Sequence, residues 1–284
     1  MSFLKLLVLG YPLSHTVSPA MHNAALQTVG LEGKYEALSI EPSRLSEIVA
    51  MIRSDGYAGA NITVPHKEAV IPLIDGLTPV AEAIGAVNTL VKKDGRLIGH
   101  NTDAAGLLAD LYAHGVHFSH RPILILGAGG AARAAVAACA GVGADAQIRV
   151  IARRREQAES LRSIIKDAKV SRSNFQIFPW TPLGFLEASD NCALIINATP
   201  LGMQPKVDAS PWQPDMPLPP DAFVYDLVYN PAQTSFTRQA RADGLRASNG
   251  LGMLVEQGAL AFELWTGKTA PRDVMRKAAE KELK

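Results

Sequence analysis

Cysteine is nearly absent: Cys139 and Cys192 are the only two, too far apart in sequence to suggest a redox pair or a zinc motif. A reducing cytoplasm fits that usage. Neither sign of charge is in excess, with 28 basic residues against 27 acidic, so there is no electrostatic footprint for nucleic acid or an anionic membrane. A small-molecule partner is the better expectation. No apolar run approaches the length of a membrane span. The apolar start, Met1 to Gly10, is short, carries Lys5 and lacks a small-residue cleavage site, so it reads as a strand and not as a signal peptide. His114, His117 and His120 recur every third residue, but no cysteine is near and the closest carboxylate, Asp110, belongs to the preceding helix. No metal is expected there.

What the chain does have is the stretch Arg121 to Arg133, Arg-Pro-Ile-Leu-Ile-Leu-Gly-Ala-Gly-Gly-Ala-Ala-Arg. Ile123 to Leu126 is an unbroken apolar run, as a strand covered on both faces requires, and glycines follow at once. Gly127 permits a tight turn, Gly129 allows close backbone approach to a pyrophosphate, and Ala132 takes the third place of Gly-x-Gly-x-x-Gly/Ala, where helix and strand pack. The amides of the following Ala-rich helix, Ala131 to Ala140, would point at the ligand, with the helix dipole favouring its negative charge. The second strand, Gln147 to Ile151, then shows a local absence. An NAD site usually places a carboxylate about 20 residues past the glycines. Here the strand ends in Ala152-Arg153-Arg154-Arg155 instead. Guanidinium groups can fork onto a ribose 2′-phosphate and stack on adenine, which predicts NADP. Arg155 to Lys169 reads as one amphipathic surface helix.

The first third alternates strands and helices. Phe3 to Leu9 is a strand ended by Gly10, and Ser18 is a good N-cap with Pro19 as first helical residue, the helix running to about Val29 before Gly30. Thr16 and Ser18 are thus held at a strand-to-helix loop, where hydroxyls can bond a polyhydroxylated ligand. Lys34 to Ile40 is the second strand, and Arg44 to Arg53 a helix with Ile48, Met51 and Ile52 on one side. A third strand, Gly59 to Val64, runs into a helix that Pro65 can start, placing Lys67 near a strand's carboxyl end, where open α/β sheets put ligands. A lysine on a first helical turn opposes the dipole, a hint that it serves something else. Pro79 to Ile84 is helical; Leu90 to Lys92 and Arg96 to Ile98 form a hairpin around Asp94-Gly95; and Thr102 or Asp103 caps the helix to Tyr112.

Beyond the second strand of the glycine unit, Phe175 to Phe178, Cys192 to Ile196 and Phe223 to Leu227 continue the sheet, with loops Asn197 to Met203 and Val228 to Pro231 at carboxyl ends. Pro205 to Pro220 is irregular surface. After a helix toward Ala242 and a short strand at Arg246 to Ser248, helices Met253 to Trp265 and Pro271 to Leu283 finish the chain. Gln257 is polar in an apolar helix and could face a ligand or water.

Taken together, the loops resemble the shikimate dehydrogenase family. The matching stretches are Gly10-x-Pro12-x-x-His15-x-x-Ser18-Pro19-x-x-His22-Asn23, Asn61-x-Thr63-Val64-Pro65-His66-Lys67, Gly85-Ala86-Val87-Asn88-Thr89, Asn101-Thr102-Asp103, Gly127-Ala128-Gly129-Gly130-Ala131, Asn197-Ala198-Thr199-x-x-Gly202-Met203, Asp226-x-Val228-Tyr229-x-Pro231 and Gly250-x-x-Met253-Leu254-x-x-Gln257. The resemblance implies a catalytic pair, Lys67 and Asp103, with Thr16, Ser18, Thr63, Asn88, Tyr229 and Gln257 around the substrate. It implies cofactor contacts from Gly127, Ala128, Gly129, Gly130, Ala131, Arg153, Arg154, Thr199, Leu227 and Gly250. Similar proteins reduce 3-dehydroshikimate to shikimate with NADPH in aromatic amino-acid (chorismate) biosynthesis, and some relatives oxidise quinate. The chain departs from the family pattern at Thr16, commonly serine, which leaves substrate choice open, and at Ala152-Arg153-Arg154 in place of Asn-Arg-Thr, an exchange NADP binding should survive.

The expectation is therefore an α/β protein of two domains flanking a cleft: a substrate domain, 1–103, rejoined by helices 253–284, and a Rossmann-type NADP-binding domain, 104–252. The leading reading is an NADP-dependent shikimate dehydrogenase, a cytoplasmic monomer or homodimer. A quinate or aminoshikimate dehydrogenase with the same machinery is the alternative; a catalytically silent NADP-binding regulator is disfavoured by the presence of both Lys67 and Asp103.

Overall fold

A computed structural model describes residues 3–13, 16–54, 56–118, 120–143, 145–166 and 170–283. The chain divides into two compact units, one made of Met1–Gly106 and Leu254–Lys284, the other of Leu107–Met253.

In the first unit the order is β1 (Leu4–Gly10), α1 (Ser18–Thr28), β2 (Gly33–Ser39), α2 (Leu45–Ser54), β3 (Tyr57–Ile62), the single turn α3 (His66–Ala69), β4 (Gly76–Leu77), α4 (Pro79–Ile84), β5 (Thr89–Lys93), β6 (Arg96–His100) and α5 (Asp103–Ala113). The sheet runs β2-β1-β3-β5-β6-β4; β2, β1 and β3 are parallel, and β5 is antiparallel to both β3 and β6. The carboxyl ends of β1, β3 and β6 and the amino end of β5 therefore share one edge, which is where the loops with the candidate residues emerge. Leu6 to Leu9 are buried, and α2 lays Leu45, Ile48, Val49 and Ile52 into the core at the spacing of one helical face. The hairpin turns through Asp94 (φ 51) and Gly95 (φ 75), the paired positive φ values of a two-residue turn that matches strand twist.

Two capping expectations are corrected. Ser18 is the first residue of α1 and not its cap: Val17 precedes it with no side-chain cap bond, and Ser18 is buried with its hydroxyl taking a bond from Thr16 Oγ1 at 3.3 Å. Neither Thr102 nor Asp103 caps α5. Asn101 does, its Oδ1 accepting from the Asp103 amide at 3.0 Å and the Ala104 amide at 3.4 Å. An amide cap contributes about 1 kcal/mol to the helix, and by taking the cap it leaves the Asp103 carboxylate for other partners. The helical dipole argument for Lys67 also lapses, because α3 has only four residues.

The second unit contains β7 (Ile123–Leu126), α6 (Gly130–Ala140), β8 (Ile148–Ala152), α7 (Arg155–Ser160), α8 (Arg162–Lys166), β9 (Phe175–Pro179), α9 (Pro182–Ser189), β10 (Leu194–Asn197), β11 (Phe223–Asp226), α10 (Ser235–Ala242) and β12 (Ala247–Asn249). All six strands are parallel in the order β12-β11-β10-β7-β8-β9. The direction of winding reverses between β7 and β10, the place where doubly wound sheets bind dinucleotides. Every residue of β7, β10 and β11 is buried, as strands covered on both faces must be. The helix expected over 155–169 is two short ones, with the Leu161 amide bonded to Ala158 O (3.1 Å) and Ile164 to Leu161 O (3.1 Å), a three-residue tightening that breaks the α ladder; Lys169 lies outside the described residues. α9 was not expected; Thr181 caps it through the Gly184 amide, and Phe185 and Ala188 fix it to the core.

The chain ends with α11 (Leu251–Thr266), assigned to the first unit from Leu254 onward, and α12 (Arg272–Glu282), which packs on α1. Among the described residues no helix is long and apolar enough to cross a membrane, and no three His, Cys, Asp or Glu side chains gather to hold a metal. His114 instead reaches Ser248 Oγ at 2.9 Å.

Candidate functional site

At the common edge of the first sheet, Lys67 from α3 and Asp103 from the start of α5 meet, Nζ to Oδ2 at 2.6 Å. Their side chains are 14% and 7% exposed, which is little enough that water screens the pair weakly and enough on the lysine for a ligand to reach it. The lysine's own backbone is anchored, its carbonyl accepting from Val87 N at 2.8 Å. The second carboxylate oxygen of Asp103 accepts from Asn88 Nδ2 at 2.8 Å. That amide also has Thr102 Oγ1 at 2.8 Å and Gln257 Oε1 at 3.2 Å as acceptors. Gln257 is brought there by backbone contact between α5 and α11: a Cβ on Gly106 would lie 2.7 Å from Gln257 N, so only glycine lets the helices approach this closely.

Thr16 and Ser18 stand together in the loop after β1, linked by the 3.3 Å hydroxyl bond. Thr63, half-buried, follows β3 with its amide on Leu9 O, and its methyl lies where a Cβ on Gly10 would sit, so glycine at 10 is a steric requirement. His15 lies outside the described residues. The first unit thus gathers Lys67, Asp103, Asn88 and Gln257 in one bonded cluster, with Thr16 and Ser18 as a second pair and Thr63 at the same edge. Tyr229 belongs to the other unit, half-buried in the loop after β11.

In the second unit Gly127 takes φ 113 and its missing Cβ makes room for Ala198 O, joining the β7 and β10 loops. Gly129 opens α6 with no side-chain cap bond, and a Cβ there would meet nothing within 4 Å. Gly129 is exposed and Ala128, Gly130 and Ala131 are half-buried, so the start of this eleven-residue helix has room for a pyrophosphate beside its first-turn amides. Arg153 and Arg154 follow β8 with exposed side chains. Asp226 ties the neighbouring loops: it accepts from Asn197 Nδ2 (2.8 Å), Val228 N (3.0 Å) and Thr234 Oγ1 (2.6 Å). Burial pushes its carboxyl up to about 6 despite those bonds. Asn197 Oδ1 in turn takes Thr199 N and Oγ1, Leu227 N bonds Asn197 O, and Gly250 is packed so close to Leu227 O that no side chain fits. Thr199, Leu227 and Gly250 are thus set by one polar knot at the carboxyl ends of β10, β11 and β12.

Reading the residues one by one missed Asn101 as the cap and the structural parts played by Asn61, whose Nδ2 donates to the Asn88 carbonyl at 3.1 Å, and by Asp226. The available signal was a polar residue in an apolar strand, Asn61 or Asp226, since a buried amide or carboxylate must find partners.

The chain matches the family model described as the shikimate dehydrogenase substrate binding domain over residues 8–90, and that described as the shikimate 5′-dehydrogenase C-terminal domain over residues 250–280. It is 44% identical over 272 residues to the shikimate dehydrogenase (NADP(+)) of Symbiobacterium thermophilum, covering 96% of this chain and 92% of that protein. Among solved structures, a shikimate dehydrogenase in complex with NADP+ is similar at TM-score 0.90 and 34% identity, over 99% of this chain and 96% of that one. The Thermus thermophilus shikimate 5-dehydrogenase in complex with NADP(H) and shikimate is similar at TM-score 0.87 and 38% identity, over 99% and 100%.

Proposed function

The chain belongs to the shikimate dehydrogenase family, and from that membership we propose that it interconverts 3-dehydroshikimate and shikimate with NADP, Lys67 serving as acid and base and Asp103 as its partner. The observation that carries the assignment of roles is the 2.6 Å contact between Lys67 Nζ and Asp103 Oδ2 inside a cluster of amide and hydroxyl side chains.

The coenzyme, when bound, supplies hydride to the ring carbonyl carbon or accepts it from the alcohol. Negative charge then develops on the carbonyl oxygen, and the Lys67 ammonium stabilises it and donates the proton; in the oxidation direction the amine removes that proton. Asp103 holds the lysine in one rotamer, while Asn88 occupies the second carboxylate oxygen so that the carboxylate cannot swing away. Thr16, Ser18, Thr63, Asn88, Tyr229 and Gln257 are assigned to the substrate's hydroxyls and carboxylate, their donors and acceptors matching a polyhydroxylated acid. The open turn from Gly127 to Ala131 suits the pyrophosphate, and Arg153 and Arg154 suit the 2′-phosphate; Thr199, Leu227 and Gly250 are assigned to the rest of the coenzyme. Two free, buried cysteines, Cys139 and Cys192, support placing this chemistry in a reducing cytoplasm.

The deciding experiment is a steady-state panel of shikimate, quinate and aminoshikimate against NADP and NAD. Shikimate with NADP is expected to give the highest kcat/KM. A higher value for quinate or aminoshikimate, or for NAD, would overturn the corresponding half of the assignment.

A further inference from the structure

Lys67 stands on α3, a single turn of four residues that is too short to hold its own axis, so its orientation is set by what ties it to the sheet. Two of those ties are backbone bonds. His66 N donates to Thr63 O at 2.9 Å, and the Lys67 carbonyl accepts from Val87 N at 2.8 Å. A third comes from a side chain: His66 Nε2 lies 2.9 Å from the Ile40 carbonyl. A carbonyl can only accept, so the ring carries its proton on Nε2 and donates it there.

His66 is fully buried and Ile40 is 2% exposed, so water does not compete for this bond. Ile40 is the first residue past β2, and its own amide donates to Gly10 O at 2.9 Å, where β1 ends. Tyr11 N reaches Val64 O at 3.0 Å and Thr63 N reaches Leu9 O at 2.8 Å. The carboxyl ends of β1, β2 and β3 are thus stitched together beyond the strands, and the imidazole links that seam to α3. Of the four residues of α3, His66 alone is buried, so no other side chain of the turn duplicates the anchor. Removing the donor leaves the Ile40 carbonyl buried without it and frees the turn to shift.

We propose that His66 is a positioning residue: its bond to Ile40 fixes where α3 sits on the end of the sheet and so places the Lys67 ammonium against Asp103 and the reacting oxygen. This inference rests on the catalytic assignment above. It extends that assignment to a side chain that is itself sealed from ligands, since His66 has no exposed surface and its Nε2 is taken by Ile40.

The test compares wild type with His66→Gln, His66→Asn and His66→Leu, each first shown by circular dichroism and thermal midpoint to be folded at the assay temperature. The glutamine amide nitrogen stands about as far from Cα as Nε2 does and can donate to Ile40; the asparagine amide stops at the place of Nδ1, and leucine has no donor. Single turnovers, with the NADPH-loaded enzyme saturating and in excess over 3-dehydroshikimate, read the rate constant of reduction, which an inactive fraction of enzyme leaves unchanged. In His66→Asn and His66→Leu that constant is expected to fall about tenfold or more, an ångström of misplacement costing about 10². KM for shikimate and for NADP should stay within about threefold of wild type, and His66→Gln should keep the rate constant within about threefold. A rate constant less than about threefold below wild type in His66→Asn or His66→Leu, an equal loss in His66→Gln, or a loss confined to KM would overturn the proposal. Should His66→Leu fail to fold, His66→Asn against His66→Gln carries the same comparison. A wild type that does not interconvert 3-dehydroshikimate and shikimate defeats the catalytic assignment instead, so the two failures are distinguishable.

Discussion

Asn61, Asn88, Thr89, Thr102 and Asp103 lie buried and bonded to one another under the sheet edge of the first unit, so what that unit presents there is side-chain chemistry prepared in advance. The second unit buries its strands in apolar contact and presents backbone: an uncapped helix start, a glycine turn, and a polar knot around Asp226 that shapes loops. The difference fits what each is proposed to hold. A reacting ring needs an acid at one atom and fixed partners for each hydroxyl, which only side chains deliver. A pyrophosphate needs many weak donors at short range, which amides deliver without cost in rotamer freedom.

The sharpest way to break the comparison is to remove chemistry from the first unit alone. Lys67→Ala should lower kcat by roughly 10²–10⁴, the range for losing a positioned acid and base, while KM for NADP stays near wild type. Near-normal turnover would remove Lys67 from the mechanism. A smaller effect, on the opposite side, is expected from Arg153→Ala and Arg154→Ala. Together they should lower kcat/KM for NADP by roughly 10- to 100-fold, as for lost charge-assisted bonds, with little change for NAD. Equal losses for both coenzymes would mean that the guanidinium groups do not read the 2′-phosphate.

These contrasts were unequally legible in the sequence. The second unit's essentials are local: Ile123 to Leu126, the glycine turn and the Ala-rich helix are contiguous, and the arginines follow the very next strand, so a window of about thirty residues carries the argument. The hairpin at Asp94-Gly95 was equally plain, because its turn demands positive φ. The first unit's essentials are long-range. Lys67 meets Asp103 across 36 positions and Asn88 meets Gln257 across 169, and nothing in local periodicity records either pairing; only the family's ordered motifs pointed to them. The cap of α5 was misassigned for a related reason. Asn101, Thr102 and Asp103 are all competent caps, and which one serves is decided by Asn88 and Lys67 occupying the other two.

Mild acid should push the two units in opposite directions, the smallest effect expected here. His22 is fully buried with both ring nitrogens lacking a hydrogen-bond partner, and burial lowers its pKa from 6.5 to about 3. The unfolded chain then takes up a proton that the folded one refuses, so stability is full above pH 6.5 and is lost as pH falls toward 3. Near pH 5 the loss is about 2 kcal/mol. Asp226 has the opposite sign, because its pKa is raised from 3.8 to about 6. The folded state binds that proton more readily, so its contribution grows as pH falls through 6, by about 1 kcal/mol between pH 7 and 5. Hydrogen exchange at the two pH values, corrected for intrinsic rates, reads the units separately. Protection in β1 and β3 should drop toward pH 5 while that in β10 and β11 holds or rises. His22→Phe, which keeps the stacking face toward Tyr35, should flatten the first trend. Asp226→Asn should flatten the second, since Asn197, Val228 and Thr234 all donate to this side chain and only the Thr234 hydroxyl can rotate to accept from an amide. A uniform loss of protection across both sheets, unchanged in either variant, would mean that neither group governs the acid response.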